Sequence, residues 1–336
     1  MNTAVKNIDL PERIFTATTG SFSDLALEVF RYQYNNNNIY RQYCQTLKVN
    51  VDNINIIEKI PFLPINLFKT HTIITTVFEP AAIFESSGTT QTINSKHVVK
   101  DVGLYEKSFS DCFNLFYGKP EEWCIIALLP SYLERSNSSL VWMAEKLIQQ
   151  SKHPQSGFYL HDTKALHETL VALENNKQKT LLIGVTFALL DFAEEYSMRL
   201  QHTTIMETGG MKGRRKEMTR QEVHTILCSS FQIQNIHSEY GMTELLSQAY
   251  SKGDGIFNCP PWMKILIRDE DDPLTVHSST QNKTLSGAVN IIDLANIYSC
   301  AFIATEDAGK LYPDESFEIL GRLDNSDIRG CSLLAL

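Results

Sequence analysis

The middle of the chain alternates between short apolar runs and longer segments with helical periodicity. The strand-like runs lie at 124–129, 180–185 and 203–207, and the first of them is continuously apolar, which is typical of a strand buried on both faces. Helical segments lie between and around them, at 104–117, 140–150 and 187–200. This alternation constrains the fold more than any other feature, because it predicts an α/β architecture with a mostly parallel sheet covered by helices.

The flanking regions have different patterns. Before the α/β region, apolar spacing predicts a helix capped by Ser21, a solvated bend at asparagines 35–38, a second helix from Ile39, and an extended connector at 60–65. After Pro260 the pattern changes to strands and turns. Strands are expected in this C-terminal region at 263–268, 285–293, 298–303 and 317–320. Two further strands are expected at the start of the α/β region, at 73–77 and 81–84. The expected organisation is a helical N-terminal segment and linker (1–70), an α/β core (71–258) and a smaller β-rich subdomain with a C-terminal tail (259–336).

Composition excludes several classes of protein. A chain of 336 residues with 43% hydrophobic residues has enough material for a sizeable core, and a net charge of −9 opposes binding to nucleic acid or anionic membranes. The longest apolar stretch, 181–192, is too short to span a bilayer, and the first residues lack a signal-peptide pattern. We therefore expect a cytoplasmic location, no membrane span and no nucleic-acid partner. Seven scattered cysteines without a Cys-x-x-Cys pair predict reduced thiols.

Four short polar segments contain residues suited to nucleotide chemistry. Glu-Ser-Ser-Gly-Thr-Thr-Gln at 85–91 follows a predicted strand, and its amides and hydroxyls suit phosphate oxygens, although it lacks the Gly-Lys-Ser/Thr ending of a Walker loop. Tyr-Gly-Met-Thr-Glu at 240–244 combines an aromatic ring, a glycine and a carboxylate. Thr-Glu-Asp at 305–307 and Gly-Arg-Leu-Asp at 321–324 each place an acid in a predicted turn. Taken singly, each segment also fits an ordinary turn.

The order of these segments resembles the adenylate-forming superfamily of acyl-CoA synthetases, peptide-synthetase adenylation domains and luciferases. Further segments are similar to the LuxE-type acyl-protein synthetases of bacterial luminescence: Tyr-Gln and Asn-x-x-Tyr patterns within 28–43, Ile-Pro-Phe-Leu-Pro-Ile at 60–65, and Thr-Gly-Gly-Met-Lys-Gly at 208–213. The resemblance extends roughly from residue 25 to residue 331. It implies the N-terminal-domain fold of adenylate-forming enzymes, with ATP and the acyl group bound by the α/β core.

The resemblance also implies roles for individual residues. The phosphates of ATP would be held by Ser86, Ser87, Gly88, Thr89 and Thr90. Tyr240 would lie against adenine, Glu244 would bind Mg²⁺, and Asp307 would accept hydrogen bonds from the ribose. Arg322 would hold the ribose and α-phosphate, Gly209 and Gly210 would line the acyl and adenine pockets, and Gly241 and Thr243 would complete the nucleotide site. Glu244 and Arg322 would act in catalysis because they offset the repulsion between a carboxylate and the α-phosphate.

The implied activity is that of a ligase that joins a fatty acid to a protein. ATP and Mg²⁺ would activate the acid as an acyl-adenylate, and Cys331 would accept the acyl group as a thioester for an acyl reductase partner. Two positions depart from the superfamily pattern, Gln91 and Glu306, where glycine is usual. Only six residues follow Gly330, so the C-terminal domain of larger relatives, with its lysine, is expected to be absent, and Lys212 is expected to be a solvated loop residue.

Two alternatives remain open. The first is a short coenzyme A ligase of the phenylacetate type. The second is a non-catalytic subunit that docks an acyl reductase, although the retained Glu244, Asp307 and Arg322 argue against degeneration. His237 fits a core or rim histidine better than a substrate contact.

Overall fold

Helices and parallel strands alternate through the middle of the chain, as the apolar pattern predicts. The computed structural model describes residues 10–86, 93–130, 137–160, 162–210, 218–280 and 282–323. Within them the helices are α1 (Leu10–Ile14), α2 (Phe22–Asn36), α3 (Asn38–Thr46), α4 (Leu67–Thr70), α5 (Val102–Tyr117), α6 (Ser139–Ser151), α7 (Thr163–Asn175), α8 (Thr186–Glu195) and α9 (Arg220–Phe231). None of these described helices combines the length and the apolar character that crossing a membrane requires.

The described strands fall into a central group and a C-terminal group. The first eight are β1 (Leu63–Pro64), β2 (Ala82–Glu85), β3 (Lys96–Val99), β4 (Cys124–Leu128), β5 (Gly157–Phe158), β6 (Thr180–Gly184), β7 (Thr203–Glu207) and β8 (His237–Tyr240). The others are β9 (Ala249–Ser251), β10 (Ile256–Asn258), β11 (Met263–Arg268), β12 (Val276–His277), β13 (Leu285–Asp293), β14 (Phe302–Leu311) and β15 (Phe317–Arg322).

One sheet runs through both groups in the order β12-β11-β13-β14-β15-β10-β9-β8-β7-β6-β4-β5. Neighbouring strands from β5 to β8 in this order pair in parallel. From β8 to the other edge of the sheet at β12, each neighbouring pair is antiparallel. The α/β expectation is therefore confirmed, with parallel pairing from β4 to β8 and one further parallel pair between β1 and β14. The predicted domain boundary near 258 falls where β10 pairs with β9 on one side and β15 on the other.

Both faces of β4 and β6 are covered, which explains their predominantly apolar sequences. Successive residues point to opposite sides of a strand, so Ile125 and Leu181 belong to a cluster with α5, whereas Ile126 and Leu182 belong to a cluster with α7, α8 and α9. The parallel strands from β4 to β8 all end at the same edge of the sheet. The loops that leave them must therefore gather there.

The N-terminal segment packs against the antiparallel part of the sheet. Phe30 and Tyr40 both contact Phe302 of β14, with ring centroids 6.2 and 6.1 Å apart. The connector at 60–65 is extended and packed as expected, because β1 pairs in parallel with β14. Ser21 occupies the N-cap position of α2, as expected, but its side chain makes no capping hydrogen bond.

The asparagine run is not a fully solvated bend, since Asn37 is completely buried. Its Oδ1 accepts the amide N–H of Tyr40 at 3.0 Å and so caps α3. Its Nδ2 donates to the carbonyl of Ser299 at 2.9 Å, in the loop that enters β14. The sequence predicted the bend correctly, but burial of Asn37 depends on a residue 262 positions away.

Three other local predictions differ from the structure. Residues 73–77 form no strand, because Thr76 has a left-handed φ of 69° and their amides bond to distant carbonyls, including that of Tyr298. The segments 304–309 and 320–322 are strands of a ladder and not turns, since long-range pairing overrides their turn composition. Similarly, the strand expected at 298–303 begins only at Phe302.

Asn37→Ala should lower the free energy of unfolding by about 2–3 kcal/mol, because it removes a helix cap and a buried hydrogen bond. Chemical denaturation monitored by circular dichroism measures the change. Asn35→Ala is the matched control: Asn35 is exposed in the same run, so its loss should change stability by less than about 0.5 kcal/mol. Equal effects of the two substitutions would contradict the role of Asn37.

Candidate active site

Three motifs that are far apart in the sequence meet at one place in the fold. Tyr240 ends β8, and its hydroxyl donates to Oδ2 of Asp307 at 2.8 Å, across a separation of 67 residues. Asp307 in β14 lies directly opposite Arg322 in β15. Arg322 Nη1 is 3.8 Å from Asp307 Oδ1, and both side chains are largely buried. The antiparallel ladder therefore places a carboxylate and a guanidinium beside an aromatic ring.

The Tyr240 side chain has a fixed position and a fixed protonation state. Its ring contacts Phe257 and Phe317, with centroids 5.9 and 5.5 Å away. Burial raises the pKa of Tyr240 well above its ordinary value, and the Asp307 carboxylate raises it further. Tyr240 therefore stays protonated and acts as a donor to Asp307.

Glu306 holds Arg322 from the other side. Arg322 Nη2 is 2.6 Å from Glu306 Oε2, and the side chain of Asn66 also donates to Glu306. The backbone N–H of Leu323 donates to the Glu306 carbonyl at 2.9 Å. Glu306, at a position where the sequence analysis expected glycine to be usual, thus orients Arg322 of the segment at 321–324.

The loop that follows β8 carries Gly241, Thr243 and Glu244. Glu244 is buried, with 1% of its surface exposed, and its carbonyl accepts a hydrogen bond from Asn296 Nδ2 at 2.6 Å. At Gly241, an added Cβ would lie 2.4 Å from Oε1 of Glu239, so a larger residue would displace that carboxyl group. An oxygen ligand at Glu244 suits Mg²⁺, which binds proteins through one or two carboxylates together with phosphates and water.

The glycine turn after β7 is fastened to the start of α8. Gly209 and Gly210 have left-handed φ values of 78° and 97°, which favour glycine. Glu207 Oε1 accepts the Gly209 N–H at 2.8 Å and also the Thr186 hydroxyl, while the Thr186 N–H donates to the Gly209 carbonyl at 3.1 Å. Sequence reasoning missed Glu207. The signal that could have identified Glu207 is its position, because a carboxylate residue there ends a predicted strand immediately before Thr-Gly-Gly.

The proposed phosphate loop is only partly described. The backbone N–H of Ser86 donates to the Ser95 carbonyl at 3.1 Å, and the Ser95 N–H donates to Ser86 Oγ at 2.9 Å, which closes the base of the loop. The remaining loop residues of the sequence prediction, Ser87, Gly88, Thr89 and Thr90, lie outside the described residues, as do Lys212 and Cys331.

His237 faces away from Tyr240 and toward α5. Its Nδ1 is 3.1 Å from the hydroxyl of Tyr117. Burial lowers the pKa of His237 to about 4, and Lys252 lowers it further. This placement matches the expectation of a core or rim histidine.

Glu239 is a second acidic residue that sequence reasoning missed. It neighbours Tyr240 in β8 but points to the opposite face, toward Tyr105, Cys112 and Tyr250. Burial raises the pKa of Glu239 to about 8, and the nearby Glu207 carboxylate raises it further. Glu239 is therefore protonated at neutral pH in the folded protein.

Glu239→Gln should remove part of the pH dependence of stability. Since the folded state holds a proton on Glu239 that the unfolded state releases, stability falls as the pH rises from about 4.5 to about 8. The variant should match the wild type near pH 4.5 and become relatively more stable toward pH 8.5, as measured by urea unfolding. Glu121→Gln, at an exposed position, should show no such trend. A constant difference between Glu239→Gln and wild type would contradict the assignment.

Comparison with known proteins finds relatives that span most of this chain. The chain is 25% identical to the long-chain-fatty-acid–luciferin-component ligase of Aliivibrio fischeri, over 92% of this chain and 86% of the relative. It is 24% identical to the Vibrio harveyi ligase of the same name, over 93% of this chain and 86% of that protein.

Among solved structures, the O-succinylbenzoate coenzyme A synthetase of Bacillus subtilis, in complex with ATP and a magnesium ion, matches 73% of this chain at 16% identity and a TM-score of 0.45. This chain spans 50% of that protein. The sequence profile of the acyl-protein synthetases, LuxE, matches residues 18–335. Because this match covers nearly the whole sequence, the chain belongs to the LuxE family of acyl-protein synthetases.

Proposed function

We propose that this protein is an ATP-dependent acyl-protein synthetase that activates a fatty acid as its acyl-adenylate and passes the acyl group to a protein thiol. The observation that carries the proposal is the convergence of Tyr240, Asp307 and Arg322 from three separate motifs. Family membership and the names of the luminescence ligases support a fatty acid as the substrate. We further propose that an acyl reductase receives the acyl group and that the reaction takes place in the cytoplasm.

The converged side chains suit the sugar and phosphate of a nucleotide. A buried carboxylate such as Asp307 accepts strong hydrogen bonds from hydroxyl groups, and a guanidinium held in place by Glu306 offers several donors to an anion. The Tyr240 ring offers a flat face to a base. Gly209 and Gly210 lack side chains where the strands end and leave space for the ligand.

The metal in this proposal is Mg²⁺, held by Glu244 together with phosphate oxygens. Among the described residues no group of three or more His, Cys, Asp or Glu side chains comes together as a metal cage. A single buried carboxylate fits Mg²⁺, which retains water and phosphate ligands. Bound Mg²⁺ would neutralise phosphate charge, so that an anionic acid can approach ATP.

The reaction proceeds in two steps. A carboxylate oxygen of the acid attacks the α-phosphorus of ATP, an acyl–phosphate bond forms, and the bond to pyrophosphate breaks. A thiolate then attacks the acyl carbonyl, forms a thioester and releases AMP. Arg322 is placed to stabilise negative charge around the α-phosphate in the first step.

The thiol in this proposal is Cys331. The six cysteines within the described residues have pKa values raised mainly by burial, and they are Cys44, Cys112, Cys124, Cys228, Cys259 and Cys300. A thiol must ionise to act as a nucleophile, so such sites are poor acyl acceptors. Near the C-terminus, Cys331 follows Arg329 by two positions, and a nearby cation favours the thiolate.

Pyrophosphate release from ATP is the first test of this function. The proposal requires release that depends on added fatty acid and Mg²⁺. No release with any acid would favour the non-catalytic subunit that docks a reductase. Release that continues through repeated turnovers only when coenzyme A is present would favour the phenylacetate-type ligase.

Asp307→Ala should raise the half-saturating ATP concentration by about 10²-fold, because two charge-assisted hydrogen bonds to the ribose are lost. The wild type should prefer ATP to 2′-deoxy-ATP, and the variant should have lost most of that preference. Initial rates of pyrophosphate release measure both effects. Asp271→Ala, at an exposed position, serves as the control. If ATP and 2′-deoxy-ATP are affected equally in the variant, Asp307 does not bind the ribose.

Cys331→Ser should abolish acylation of the protein while leaving acid-dependent ATP–pyrophosphate exchange intact, because adenylation precedes thiol attack. Incubation with ATP, Mg²⁺ and a radiolabelled fatty acid should leave a hydroxylamine-sensitive label on the wild type. Cys228→Ser is the matched control, because Cys228 is partly exposed in the fold, and it should retain the label. Label remaining on Cys331→Ser would refute the acceptor assignment.

A further inference from the structure

His97 joins two segments that the proposed function uses. It lies in β3, two residues after Ser95, which closes the base of the phosphate loop with Ser86. Its Nδ1 is 2.8 Å from the carbonyl oxygen of Thr243, the residue before Glu244. The ring is buried, 1% exposed, and packs edge-on against Phe68 at 6.1 Å. A single side chain therefore connects the base of one loop to the backbone of the other.

The chemistry of this contact fixes the tautomer of His97. A carbonyl oxygen can only accept, so Nδ1 must carry the proton and donate it. Burial lowers the pKa of His97, although the Thr243 bond and the nearby Glu244 oppose this effect. Nδ1 carries its proton in this neutral tautomer and in the protonated ring alike, so the donor directed at Thr243 is permanent.

The loop from Gly241 to Gln248 has further anchors. Asn296 Nδ2 donates to the Glu244 carbonyl at 2.6 Å. The carboxylate of Asp293 accepts the N–H groups of Leu246 and Ser247 at 2.8 and 3.0 Å. Side chains from β3, from the turn after β13 and from β13 itself thus hold successive residues of this loop. His97 is the anchor that also belongs to the strand following the phosphate loop.

We propose that His97 is a positioning residue that sets the Glu244 carboxylate relative to Ser86 and Ser95 at the base of the phosphate loop and thereby determines the affinity for Mg²⁺–ATP. The inference rests on the proposed function, because Glu244 is the metal ligand in that proposal. His97 itself touches neither metal nor nucleotide; it acts through the carbonyl of Thr243. Asn296, whose side chain also hydrogen-bonds to His97, restricts Glu244 through the Glu244 carbonyl.

Two amide substitutions separate the hydrogen bond from the loss of the ring. In His97→Asn the amide nitrogen occupies the place of Nδ1 and can still donate to Thr243, whereas in His97→Gln it occupies the place of Nε2 and cannot. Both variants lose the ring contact with Phe68. Since Gln fills more of the space than Asn, a packing effect would favour His97→Gln, the opposite of the result expected from the hydrogen bond. Thermal unfolding of the two proteins verifies that they fold alike.

The first measurement is the half-saturating Mg²⁺ concentration for acid-dependent pyrophosphate release at fixed ATP. His97→Gln should require about tenfold more Mg²⁺, as expected when one hydrogen bond is lost, while its maximal rate changes less. His97→Asn should remain within about threefold of the wild type. An equal Mg²⁺ requirement in the two variants would overturn the proposal.

The second measurement needs no activity. Hydrogen exchange of the ligand-free proteins, followed by mass spectrometry, should show faster exchange in peptides covering 241–247 for His97→Gln than for His97→Asn. Identical exchange in the two variants would refute the anchoring role even if the wild type is an active ligase. If the wild type releases no pyrophosphate with any acid, the proposed function fails, and with it the role in Mg²⁺ affinity; the exchange comparison then decides only whether His97 anchors the loop.

Discussion

The backbone of a buried loop must find hydrogen-bond partners, and this requirement shapes the site. The chain leaves β8 at Tyr240 and re-enters the sheet at Ala249, and Glu244, Leu245, Leu246, Ser247 and Gln248 between them are all buried. Buried peptide groups without partners cost about 1–3 kcal/mol each. Here side chains from other elements supply the partners, chiefly Asp293 for the amides and His97 and Asn296 for the carbonyls. The position of Glu244 therefore depends on residues that are remote in sequence.

The same requirement explains how the N-terminal helices support the site. Gln33 of α2 donates to the carbonyls of Asn296 and Ile297 and accepts the N–H of Ala301. Asn37 donates to the carbonyl of Ser299 in the same loop. Hydrogen bonds from α2 thus fix the loop between β13 and β14. Asn296 in this loop in turn hydrogen-bonds to the Glu244 carbonyl. The N-terminal segment belongs structurally to the site although it contributes none of the proposed nucleotide contacts.

Charge is balanced locally around the converged motifs. Arg322 lies between Glu306 and Asp307, and Tyr240 donates to Asp307 from the neighbouring side. The pair of carboxylates keeps the guanidinium fixed, and the guanidinium makes the burial of two adjacent acids tolerable. On the other face of β8, Glu239 has no basic partner among the described residues, and its raised pKa keeps it neutral instead.

Several parts of this fold follow from local sequence. The strands β4, β6 and β7 were predicted to within a residue or two, because strands buried on both faces are rich in apolar residues. The capping box of α9, with Thr219 and Glu222, is also a local signal. By contrast, the acidic segments around Asp307 and Arg322 have the composition of turns. Only pairing of β14 with β13 and β15 makes them strands.

The candidate site likewise combines features that follow from local sequence with features that depend on the tertiary structure. The sequence by itself determined which residue types were available in the four motifs, since these motifs are short and contiguous. Tertiary structure alone decided that Tyr240 bonds to Asp307, that Glu306 orients Arg322, and that Glu207 and His97 fasten two loops. Most of these contacts join residues brought together by the order of strands in the large sheet, whereas His97 comes from the separate two-stranded sheet of β2 and β3. A single sequence shows no local trace of such pairings, because each partner is an ordinary polar residue until the fold places it beside the other.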